Sequence, residues 1–228
     1  MAIILDMQSG GRFYMTYFLD FFSDADREAS IRFVDYKKSR ERAYLIEVVK
    51  AGKHPFWART LELQRPADMV PKCLTLKKGT ELPDYVHESC TGRLVSERLK
   101  ALIEAVEPAD RGFQFFPLDI RLPDNTAYPV RYFAWHVFRK VDAIDPSLGG
   151  VKTVSGEPDG RHSWTYIAQG IPRSRKTLGV RKDVIAGMAA WLDYRSHWYN
   201  VFIPDALHDA MKAAGITGFR AQSEWSEV

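Results

Sequence analysis

Nucleophilic or metal-dependent chemistry in this chain would have to come from Cys73, Cys90 and six histidines: His54, His87, His136, His162, His197 and His208. A thiolate beside an imidazole makes a nucleophile and base couple, and such partners meet in space, not in sequence. A small enzyme of unassigned class using Cys90 or a histidine is therefore one reading to carry. The alternative for a lone cysteine is small core filler, which is the role expected of Cys90. The histidines show no His-x-x-x-His or His-Glu-x-x-His spacing, and Cys73, His87 and Cys90 lack a fourth ligand at zinc-like spacing. Asp119, Asp124, Asp142 and Asp145 have no regular oxygen-ligand spacing and read as turn residues. The expectation is no catalytic residue, no metal ligand and no cofactor. His136, inside an apolar run, is expected in the core or on a sheet face. His208, between Leu207 and Asp209, is expected to be exposed.

Phosphate chemistry fares little better. Gly10-Gly11 precedes a strand pattern instead of leading one into a helix, and Gly149-Gly150 sits in a polar loop. The stretch 171–182 carries Arg173, Arg175, Lys176, Arg181 and Lys182, which could grip a phosphate backbone. Trp164, Tyr166, Trp191, Tyr194, Trp198 and Tyr199 flank it, and rings of this kind stack on bases or anchor protein interfaces. The whole chain has 32 basic against 29 acidic residues, an ordinary balance with no charged stripe. Weak nucleic-acid binding through 173–182 is thus a second alternative. The residues expected to contact a protein partner are Trp164, Arg173, Arg175, Arg195, Trp198 and Tyr199, being aromatic or Arg in expected loops.

The elements that must position these groups point to an α+β fold, a single mixed domain over 1–228 with a central, largely antiparallel sheet. A chain of 228 residues that is 46% hydrophobic can bury roughly 70% of its unfolded surface without staples. The first eighty residues (1–80) read as strand-rich: 12–19 and 43–49 are dense in strand formers. Residues 61–88, where Pro66, Pro71, Gly79 and Pro83 punctuate short extended pieces, read as a loop-rich connection. A helix starts at Ser96, a good N-cap, with Leu99, Leu102, Ile103 and Val106 on one face, and Pro108 stops it. Residues 113–120 and 132–138 are aromatic strands. Residues 201–203 lead through Pro204-Asp205 into a second helix carrying Leu207, Ala210, Met211 and Ala214, with Gly215 as its terminal cap. The pattern of strand, helix, glycine, strand therefore occurs twice, as two similar units.

The N-terminal residues show no basic segment followed by a signal-like apolar run, and no stretch approaches the ~18 apolar residues of a membrane span. With only two cysteines, a disulfide framework is not expected either. A cytoplasmic protein without membrane contact is the expectation.

The run Leu94-Val95-Ser96-Glu97-Arg98-Leu99, then Phe113-Gln114-Phe115-Phe116-Pro117-Leu118, then 201–207 and Ala213-Ala214-Gly215-Ile216-Thr217-Gly218-Phe219 resembles immunity protein family eleven. This is a bacterial family assigned, largely from gene neighbourhood, as immunity proteins of polymorphic or secretion-delivered toxins. The resemblance is best over 82–228. The family usually has Ser where this chain has Pro204, which keeps a helix start but removes a side-chain cap. The resemblance implies a cytoplasmic inhibitor of a cognate toxin, encoded by the adjacent gene, that blocks the toxin's active site or substrate access. It carries over no catalytic residue.

Overall fold

The computed structural model describes residues 15–20, 31–33, 64–70, 72–76, 81–88, 92–109, 111–145, 147, 151–156, 162–166, 178–193 and 201–227. In the first half of the chain these form strands β1 (Met15–Asp20), β2 (Ile31–Phe33), β3 (Cys73–Leu76), β4 (Tyr85–Glu88) and β5 (Gly92–Ser96), helix α1 (Glu97–Val106), and strands β6 (Phe113–Arg121) and β7 (Tyr132–Val137). The second half adds β8 (Lys140–Val141), β9 (Ile144–Asp145), β10 (Val151–Gly156), β11 (His162–Tyr166), β12 (Leu178–Val180), the short helix α2 (Lys182–Ile185), β13 (Leu192–Asp193), β14 (Val201–Pro204), helix α3 (Asp205–Ala213) and β15 (Arg220–Glu227). The fold is α+β, as expected from the sequence. The expected strand at 43–49 lies outside the described residues.

The strands fall into a six-stranded sheet ordered β2-β3-β6-β7-β5-β4, a five-stranded sheet ordered β14-β1-β15-β12-β9, and two strand pairs, β10 with β11 and β8 with β13. Most ladders are antiparallel, and β3–β6, β12–β15 and β8–β13 are the parallel ones among the described strands. Residues 61–88, expected as short extended pieces in a loop-rich connection, hold β3 and β4. Each is four residues long, and β3 gains its strand partner from Asp119–Arg121, far along the sequence.

The sheet topology explains the aromatic run. All six side chains of β7 are buried. Phe133, Trp135 and Val137 enter one cluster with Phe113, Leu99 and Ile103, while Tyr132 and Ala134 enter another with Leu74, Leu118 and Ile120. A strand covered on both faces reads as continuous apolar sequence instead of alternating. Successive residues of β6 divide between the same two clusters, as the two-residue period requires.

Helix α1 joins β5 to β6, and both strands pair antiparallel to β7, which lies between them. Helix α3 joins β14 to β15, and both pair antiparallel to β1, the strand between those two. The two helices pack on one another, and Leu99, Ile103, Leu207 and Met211 share one buried cluster. Beyond α3, Gly218 sits at φ 84°, where a Cβ would lie 2.2 Å from the Tyr85 carbonyl oxygen. Glycine there lets the segment after α3 lie directly on the start of β4, and the Tyr85 amide donates to the Thr217 carbonyl at 3.0 Å.

Candidate functional site

Two buried carboxylates, Asp84 and Glu107, each gather three segments of chain. Asp84, 6% exposed, precedes β4. Its Oδ1 accepts from Ser96 Oγ at 2.7 Å and Arg98 Nε at 2.5 Å. Its Oδ2 accepts from a second Arg98 nitrogen and from the Thr217 amide and hydroxyl, both at 3.0 Å. Burial alone would raise this carboxyl's pKa, but the hydrogen bonds from Arg98, Ser96 and Thr217 outweigh it and hold the group well below the usual carboxylate range. Arg98 continues the chain of contacts, donating to the Ala214 and Gly215 carbonyls at 3.3 and 3.0 Å.

Glu107, at the C-terminal end of α1, is 4% exposed. Its two oxygens meet the Arg139 guanidinium at 2.5 and 2.7 Å, a bidentate geometry, and Oε2 also accepts the Ala189 amide at 2.8 Å. Arg139 in turn donates to the Ala190 carbonyl at 2.7 Å. Burial pushes the Glu107 pKa up, and Arg139 and the Ala189 amide more than reverse this, so it ends lowered. Gly112 makes room for the pair: a Cβ there would stand 2.5 Å from Arg139 Cζ.

His208 was expected to be exposed and is buried, 3% exposed. The apolar positions of α3 define its inner face, but the face is wide enough to include the residue after Leu207. Its Nδ1 lies 3.3 Å from Asp209 Oδ1, and its ring meets Phe219 edge-on at 6.5 Å. Burial lowers its pKa. Asp205, His208 and Asp209 present ligand atoms within 4.8 Å of one another, an i, i+3, i+4 grouping with one histidine and so without a paired-histidine spacing. Two carboxylates and an imidazole form a mixed oxygen and nitrogen set that a divalent cation can use. Asp205, however, occupies the first turn of α3, where the helix dipole favours the bare carboxylate over a cation.

These networks hold a scaffold together; they do not align a nucleophile with a base. The chain matches the immunity protein family Imm11 over residues 7–223. The chain belongs to that family. No curated protein gives a significant match. Imm11 membership supports a non-enzymatic role and implies a partner toxin. Within this Imm11 chain, Cys73 is half-buried on β3, while Cys90 lies outside the described residues. His136 is buried in β7, as expected.

Of the residues expected to contact a partner, Trp164 lies on β11, where its backbone pairs with Thr153. Arg173, Arg175, Arg195, Trp198 and Tyr199 lie outside the described residues. A group of surface residues that sequence did not single out lines α1 and the neighbouring strands. Lys100 Nζ stands 5.1 Å from the Phe115 ring and 5.3 Å from that of Phe133, and pairs with Glu104 at 2.5 Å. Arg131 lies 5.8 Å from the Phe133 ring and pairs with Glu97 at 2.7 Å. No helix among the described residues is long and apolar enough to cross a membrane.

Proposed function

We propose that this Imm11 chain binds a cognate bacterial toxin and neutralises it by covering the toxin's active site or substrate path. The observation that carries the reading is the family match over nearly the whole chain, 7–223. The physical chemistry is compatible. An inhibitor needs a rigid scaffold and a few anchoring side chains, with no reacting groups of its own.

The finer parts of the reading are these. Residues 1–228 act as one body. The toxin belongs to a polymorphic, secretion-delivered system and is the product of the adjacent gene. Neutralisation takes place in the cytoplasm, and Trp164, Arg173, Arg175, Arg195, Trp198 and Tyr199 contribute to the contact. The test is to express the neighbouring toxin with and without this chain. Restored growth together with co-purification of the two proteins is expected. A chain that neither protects nor co-purifies overturns the reading.

A further inference from the structure

We draw no further inference here: the strongest candidate, the Asp205–His208–Asp209 side-chain cluster on the first turns of α3, carries nothing because it is an acidic group at a helix N-terminus whose buried imidazole already meets Asp209 and Phe219, and no second observation points to a cation there.

Discussion

Helices α1 and α3 differ by one residue in length, ten against nine, yet their free ends are satisfied by different means. At the start of α1, Ser96 Oγ accepts the Leu99 amide at 3.3 Å and donates to Asp84. At its finish, the Glu107 side chain turns inward to Arg139. Helix α3 begins at Pro204 with no side-chain cap, and is secured at its other end. There Gly215 adopts φ 62°, its amide donates to the Lys212 carbonyl, and the Ile216 amide donates to the Met211 carbonyl, each at 3.0 Å. This pair of bonds with a left-handed glycine satisfies the Lys212 and Met211 carbonyls through backbone, and the buried Ile216 and Met211 supply its apolar contact. One helix is thus fixed by buried charged side chains and the other by glycine and backbone. Arg98 links them, since this side chain of α1 caps carbonyls at the end of α3.

The difference makes α1 the helix more sensitive to loss of a charge. Glu107→Ala leaves the Arg139 guanidinium, 16% exposed, without its carboxylate partner, and is expected to cost about 3–5 kcal/mol of stability in chemical denaturation. A loss under about 1 kcal/mol would show that the α1 end does not depend on the Glu107–Arg139 pair.

Acid should expose the same asymmetry. Asp84 and Glu107 both titrate lower in the folded chain than in the unfolded one. The unfolded state therefore takes up protons first, and the stability these groups contribute is present above the ordinary carboxyl range of about 4 and is lost as pH falls through it towards their folded values. Melting temperature is expected to be level above about pH 5 and to fall below it. Asp84→Asn should make the fall shallower as well as lowering the plateau. An unchanged slope would mean that Asp84 is not the group that titrates.

The smallest effect is a gain. Pro204→Ser offers α3 the side-chain cap that α1 has, and is expected to add about 0.5–1 kcal/mol, which a paired set of urea melts can resolve.

Sequence made the parts visible wherever periodicity or capping is local. The Ser96 cap, the apolar face of α1, the two aromatic strands and the Gly215 stop all follow from neighbours within a turn or a strand. It failed where the deciding partner is remote. Strand β3 is a four-residue piece beside Pro71, and its identity depends on β6. Asp84 and Glu107 stand in sequence as single acids beside Pro83 and Pro108, with nothing nearby to announce that Thr217 or Arg139 would receive them. The inward position of His208 depends on Phe219 arriving from the far side of the Gly215 turn. The family-like segments report the scaffold for the same reason, because capping residues and glycines are what the scaffold demands at those places.

The position of β1 carries a consequence in time. Its two ladder neighbours, β14 and β15, are made of residues 201–204 and 220–227, whereas β1 itself ends at Asp20. Ribosomes add about 5–20 residues per second, so β1 waits on the order of ten to forty seconds for both flanking strands to be made. A pairing so distant along the chain is also slow to find once its partners exist. The five-stranded sheet can close only after residues 220–227 have been made, and a nascent chain stopped before Val201 has neither neighbour to offer β1.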